Sequence, residues 1–394
     1  MPFSHFFMNQ KSSICAIICE YDPFHNGHKY QIEQARLLSG CDFVLCLMSG
    51  SLVQRGYPAI LDKHTRAKLA LQNGADMVVL LPTVFATSSA QDFATGAIKM
   101  LDTLGVQCLC FGVEPSCLSS LEDCKNWDFA KLKTLSKDFS KQGANSAKAY
   151  QLAVSSLYGT QHATAFENPN FVLAYEYQKA LHFANSKILT LPIARTNAYH
   201  HLDLATPFAS ATAIRHAQRT QQDISQFVPY EPSLLQNTLD SQLFESILAL
   251  HLKNTDLQTL SQIHGVTEGL HYRLKKVSDS HATYAQILQH AKSKRTLHAR
   301  LRRILLHNYL GVTKQTVQLA LQHDLPYQVL GIKNTATTLL GQMPPGTTLG
   351  KKDLQALSPS CQHLLAIESK ADTLYSVITQ YCGDLLTGNG IIKI

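Results

Sequence analysis

Glu20-Tyr21-Asp22-Pro23-Phe24-His25-Asn26-Gly27-His28 is the stretch that decides the fold of this chain. Ahead of it runs Ile14-Cys15-Ala16-Ile17-Ile18-Cys19, short, apolar and unbroken, as a parallel strand buried on both faces should be. Behind it, Lys29 to Leu38 carries apolar Tyr30, Ala35, Leu37 and Leu38 at roughly helical spacing and closes on Ser39-Gly40. The stretch is therefore a strand-to-helix turn, with His25 in the turn and His28 near the helix start.

That position is suited to phosphate. A helix N-terminus offers unpaired backbone N–H groups and the positive end of the helix dipole. Gly27 lets a bulky anion approach the backbone. Two imidazoles three positions apart can donate to phosphate oxygens and stabilise the charge that builds when an α-phosphate is attacked. His-x-Gly-His after a first strand resembles the phosphate motif of the nucleotidylyltransferase superfamily.

Outward from the turn, strands and helices alternate. Phe43–Met48 reads as a second strand ending in Ser49-Gly50. Asp62 reads as the N-cap of a helix from Lys63 to Asn73, with Lys63, Arg66 and Lys68 as its charged members. Met77–Leu81 is a third strand, Ala90–Leu104 a helix, and Cys108–Phe111 a fourth strand followed by Gly112-Val113-Glu114. The alternation predicts an α/β fold, a doubly wound parallel sheet with ligands beyond the carboxyl ends of its strands. Residues 116 to 157 read as helical and polar. Asn168-Pro169-Asn170 starts a helix through Leu181, and Ile188–Leu191 is a further short strand. Arg195-Thr196-Asn197 and Tyr199-His200-His201 follow, then Ser210 as cap of the helix start Ala211-Thr212-Ala213-Ile214-Arg215.

The alternation stops near residue 220, and Pro229 and Pro232 suggest a boundary. The expected division is a catalytic part, 1–225, and a mainly helical part, 226–394. In the second part Lys292, Lys294, Arg295, Arg300, Arg302, Arg303 and Lys314 occur with no Asp or Glu between Asp279 and Asp324. Leu297, Leu301, Ile304 and Leu305 give the same stretch an apolar face. A helix packed on one side and positive on the other contacts nucleic-acid backbone through charge. The Pro345-Gly346 turn lies in a mixed final segment with no assigned role.

Composition bounds the rest. The chain has 394 residues and a formal net charge of +7, a mild hint of an anionic partner. Its ten cysteines form no Cys-x-x-Cys pair and read as reduced core residues of a cytosolic, hence cytoplasmic, protein. No apolar run approaches a membrane span, so no membrane partner is expected. Nor does a carboxylate cluster dedicated to a metal stand out, although Mg²⁺ commonly assists pyrophosphate release.

Taken together, several motifs resemble the bacterial tRNA-Met cytidine acetate ligase family. They are the 20–28 stretch, Met48-Ser49-Gly50, Gln54-Arg55-Gly56-Tyr57-Pro58-Ala59, Phe111-Gly112-Val113-Glu114, Pro169-Asn170 and Ser210-Ala211-Thr212-Ala213-Ile214-Arg215. The likeness continues through Val266-Thr267-Glu268-Gly269-Leu270 and Lys292-Ser293-Lys294-Arg295-Thr296, covering about residues 13 to 332. Asp22 stands where that family usually has Asn, and Tyr57 where it usually has Glu.

The resemblance implies a ligase that joins acetate to AMP, releases pyrophosphate, and passes the acetyl group to the wobble cytidine of elongator tRNA-Met as N4-acetylcytidine. It implies an ATP site built from Ile18, Cys19, Glu20, Tyr21, Asp22, Pro23, Phe24, His25, Asn26, Gly27, His28, Lys29, Tyr30 and Gln31, with Gly112, Asn170 and Arg195. His25 and His28 would act on the α-phosphate and the leaving pyrophosphate. A nucleotidylyltransferase for a small metabolite would keep the turn but needs no basic helical stretch. An RNA-binding protein that had lost catalysis would not need His25, Gly27 and His28 intact.

Overall fold

The computed structural model describes residues 12–195, 208–235, 239–267, 269–294, 296–344, 347–348, 357–381, 385 and 391–394. Arg295, Glu268, Cys382, the 196–201 cluster and the Pro345-Gly346 turn lie outside the described residues.

The predicted strands form one sheet. β1 (Ile14–Cys19), β2 (Phe43–Ser49), β3 (Met77–Leu81), β4 (Cys108–Val113) and β5 (Leu189–Ala194) run parallel in the order β3-β2-β1-β4-β5. Ile14 to Ile17 are at most 3% exposed, because both faces of β1 are covered. Alternate side chains serve two separate cores. Ile14, Ala16, Leu45, Leu47 and Val79 face one; Cys15, Ile17, Cys46, Met48 and Cys110 face the other. Cysteine is used there as a small apolar side chain. The nine described cysteines are free thiols, and most of them are buried.

Strand order reverses between β1 and β4. In an open parallel sheet the crevice outside the carboxyl ends of two such strands is where ligands bind. The turn after β1 and Gly112 near the end of β4 both open on it.

The first helix, α1 (Asn26–Ser39), starts three residues earlier than the apolar spacing predicts, because His25 itself is the N-cap. Its buried face is Ile32, Ala35 and Ser39, whereas Leu37 is 72% exposed, so the expected apolar stripe is shifted. α2 (Lys63–Gln72) is capped as predicted: Asp62 accepts from the backbone N–H groups of His64 and Thr65, both at 2.9 Å. Lys63 and Arg66, two of its charged members, are fully buried. α3 (Ala90–Thr103) packs along α4 (Pro169–Ala184). Ser210 caps α5 (Ala211–Arg219) by accepting from the Ala213 N–H at 3.1 Å.

The helical stretch opens with α6 (Ser241–Asn254) and includes α7 (His298–Leu310). The expected single basic helix over 292–303 is interrupted. The preceding helix stops at Ala291, Lys292 and Lys294 stand in the connection, and Leu297 is 50% exposed rather than packed. Leu301, Ile304 and Leu305 are buried as expected.

After this stretch the chain returns to the sheet. β6 (Tyr327–Ile332) pairs antiparallel with β3, Met77 opposite Ile332, and β7 (Ile392–Lys393) pairs with β6. The final long helix, α8 (Pro359–Thr379), packs on the short helix after β3. A division at residue 225 therefore does not leave 226–394 as one helical unit. No helix among the described residues is long and apolar enough to cross a membrane.

Candidate active site

His25 is held by its own turn. Its backbone is extended, and its Nδ1 accepts from the Gly27 N–H at 3.1 Å. A Cβ on Gly27 would lie 2.9 Å from His25 Cε1, so glycine is required for the ring to fold back here. The expected open donors of the helix start are already engaged. Asn26 N–H donates to Phe227 O at 2.9 Å, Gly27 N–H to the His25 ring, and His28 N–H to His25 O at 2.8 Å. The dipole remains, but donation to an anion falls to side chains.

Those side chains are in place. The His25 and His28 rings stack with centroids 3.6 Å apart, and His28 also packs against Tyr21 at 4.8 Å and Phe24 at 5.8 Å. Burial first, then the charges of Arg195 and Arg215, push His25 down to about 3. Burial, then His25 and Arg195, hold His28 well below its ordinary value. Both rings are thus neutral at pH 7. With Nδ1 of His25 used as an acceptor, its proton sits on Nε2, a donor. The buried Nδ1 of His28 has no hydrogen-bond partner among the described residues.

His25, Gly27, His28, Tyr30, Gln31, Gly112 and Arg195 line one cleft, with Ile193, Ala194 and Phe208. Gly112 matters because the Arg195 stem would lie 3.2 Å from any Cβ there. Gln31 ties α1 to β4 through Cys110 O at 3.5 Å. The free volume is about 60 Å³. Ligand pockets run roughly 300–1,000 Å³, so these walls enclose only part of a nucleotide.

The remaining expected positions support this cleft from around it. Ile18 and Cys19 end β1. Tyr21 and Phe24 are buried beneath the histidines. The peptide between Asp22 and Pro23 is cis. Asp22 accepts from Ile60 N–H at 2.7 Å and pairs with Arg215 at 3.2 Å. Glu20 accepts from Gln54 N–H at 2.6 Å, and burial raises its carboxyl. Asn26 Nδ2 donates to Gln226 O at 2.8 Å, while Lys29 points outward. Asn170 donates to Glu114 at 2.6 Å rather than lining the cleft. Asn170 uses Oε1 of Glu114; the other oxygen, Oε2, is buried with no partner among the described residues.

Arg66 was not expected in this role. Fully buried, it donates to Glu20 O, Ser49 O and Gly50 O, and so fixes the ends of β1 and β2. Its arginine-in-a-helix context carries no sequence signal for this. Arg215, which lies within the recognised 210–215 motif, shapes His25 electrostatically and is a further residue of the site.

Among the described basic residues, Lys292 and Lys294 are exposed. Arg300 is turned back, donating to Gly265 O at 2.9 Å and to Thr267 Oγ1. Arg303 is largely buried, and burial lowers it to about 10. Arg302 lies over the Tyr57 ring, 4.9 Å from its centroid. The described residues contain no group of three or more His, Cys, Asp or Glu able to hold a metal ion.

The neutral histidines have a consequence for stability. His307, also buried, is pushed down to about 3 like His25. Unfolded, each takes up a proton near pH 6.5; folded, neither does until far lower. Stability is expected to fall as the pH drops below about 6.5, by roughly 1 kcal/mol per histidine between pH 7 and 5.5. Thermal unfolding at the two pH values measures this, and an unchanged or higher melting temperature at pH 5.5 would contradict it.

A doubly wound sheet with a His-x-Gly-His turn at its switch point defines a nucleotidyl transferase. The family model described as HIGH Nucleotidyl Transferase matches residues 12–385. The tRNA(Met) cytidine acetate ligase of Latilactobacillus sakei is 36% identical over 348 residues, 85% of this chain and 86% of that protein. The protein of the same name from Clostridium botulinum is 31% identical over 389 residues, 93% of this chain and 94% of the other. The crystal structure of Thermotoga maritima TmcAL bound with alpha-thio ATP superposes with a TM-score of 0.86 at 26% identity, covering 97% of this chain and 99% of that one. The chain belongs to the tRNA(Met) cytidine acetate ligase family.

Proposed function

We propose that this protein is a cytoplasmic ATP-dependent ligase that activates acetate and acetylates the wobble cytidine of elongator tRNA-Met. The observation that carries it is the pair of stacked, neutral histidines beside Arg195 at the switch point, in a chain whose relatives bear that name.

An acetate oxygen attacks the α-phosphorus of ATP, the bond to the β-phosphate oxygen breaks, and pyrophosphate leaves. His25 Nε2–H and His28 donate to the phosphate oxygens that gain charge, and Arg195 supplies the cation the neutral rings lack. Donors held in place before the reaction need no reorganisation as that charge develops. Activation is needed because acetate is a poor acyl donor and the cytosine amine, delocalised into its ring, a weak nucleophile. The mixed anhydride answers the first problem, and holding the base beside it answers part of the second. The amine then attacks the acetyl carbonyl, loses a proton, and AMP leaves. Mg²⁺ would bind through the ATP phosphates rather than a cage of protein carboxylates.

Two assays test this reading. Labelled pyrophosphate should exchange into ATP only when acetate is present. Acetyl transfer to tRNA should require acetate plus ATP, with none from acetyl-CoA alone. Efficient transfer from acetyl-CoA without ATP would overturn the proposal.

A further inference from the structure

A second cleft of about 540 Å³ adjoins the catalytic turn and holds a different set of groups. It meets the turn at Asp22, which pairs with Arg215 of the cleft at 3.2 Å. One wall is the hairpin after β2, with Arg55 and Tyr57; the other is helical, with Phe244 on α6 and Arg302 on α7. The walls meet closely. Gly56, at φ +77°, lies against α7, where a Cβ would be 3.1 Å from Arg303 N.

We propose that this cleft receives the single-stranded acceptor, an unpaired nucleotide of the tRNA loop, with its base on the Tyr57–Arg302 pair and its phosphates at Arg55 and Arg219. This rests on the tRNA-modifying reading above. Three observations carry it. The volume suits a nucleotide. The Arg302 guanidinium already lies on the Tyr57 ring at 4.9 Å, and stacked aromatic and guanidinium planes are what unstacked bases bind. The buried Nε of Arg302 has no hydrogen-bond partner among the described residues.

Geometry gives the cleft its purpose. ATP is expected at the β1–β4 crevice, where Gly112 and Arg195 line the other side of the turn. The amine must come within about 3–3.5 Å of the acetyl carbon. An acceptor arriving through the Asp22 side approaches the turn without displacing the nucleotide. Charge in this cleft comes from Arg55, Arg215, Arg219 and Arg302, against Asp22 and Glu245. The arginines named earlier as one cationic face therefore divide: Arg302 faces the cleft, and Arg300 braces the 265–267 turn.

The test compares the two half-reactions in the full-length protein. Tyr57→Ala is expected to lower kcat/KM for tRNA roughly ten- to a hundredfold, as loss of one base-stacking platform does. The loss should be confined to transfer, with acetate-dependent pyrophosphate exchange retained. Tyr57→Phe keeps the ring and should restore transfer to near the parent value. Arg219→Glu, at an exposed position, should raise KM for tRNA and flatten its salt dependence. Parental tRNA kinetics in both Tyr57→Ala and Arg219→Glu would overturn the cleft assignment. A parent protein that exchanges pyrophosphate but acetylates no tRNA would overturn the tRNA-modifying reading, and the acceptor cleft with it.

Discussion

Replacing His28 with Ala is expected to lower acetate-dependent pyrophosphate exchange by roughly 10²–10³-fold, the usual cost of one preorganised donor to a developing oxyanion. The ring is stacked on His25 and its Nδ1 lacks a partner among the described residues, so the packing leaves it a polar atom to spare for substrate. It is also more than a loose turn residue. Contacts with Tyr21, Phe24 and His25 mean that truncation removes packing as well as chemistry. A stability loss of about 1–2 kcal/mol is expected alongside. Exchange and thermal unfolding measured on the same preparation separate the two. A folded variant with near-parental exchange would remove His28 from the mechanism.

The second large effect lies far from the turn in sequence. Lys63, fully buried, pairs with Asp372 at 2.7 Å and stands 3.6 Å from Glu368, both on α8. Asp372 also accepts from Ser51 Oγ at 2.6 Å, and Glu368 from Thr83 N–H at 3.0 Å. The final helix is thereby bonded to the loop after β2 and to the segment after β3. Asp372→Ala leaves the buried Lys63 ammonium only the longer 3.6 Å contact with Glu368, and should destabilise the protein by about 3 kcal/mol. That is a large part of a typical total of roughly 5–15 kcal/mol. Denaturant unfolding reads the loss. Adding Lys63→Met should recover part of it, because the poorly paired buried ammonium is then gone. An Asp372→Ala variant within about 1 kcal/mol of the parent would show that the pair carries little of the fold.

These two sites mark where sequence reading succeeds and where it stops. His25, Gly27 and His28 are legible because strand, turn and helix occur within one local stretch. The caps at Asp62 and Ser210 are legible for the same reason. The partnership of Ser51 and Lys63 with Asp372 spans more than 300 residues and leaves no local pattern. Lys63 and Arg66 look like ordinary helix-surface charges, since only the fold reveals that the C-terminal helix and the strand ends bury them. Arg300, Arg302 and Arg303 read as one positive face, but a helical face holds no information about which guanidinium bends back onto a neighbouring turn. β6 escaped notice because Tyr327–Ile332 completes the sheet from beyond the helical stretch, where alternation had already ceased.

The central claim is that this turn activates acetate for transfer to a cytidine. Its most direct test is to incubate the protein with ATP, carbon-labelled acetate and total tRNA, digest the RNA, and identify the labelled nucleoside by mass spectrometry. The predicted result is label in N4-acetylcytidine from the tRNA-Met fraction, dependent on ATP and lost in the His28→Ala variant. Absence of labelled N4-acetylcytidine above the control without ATP, from protein that is folded, would contradict it.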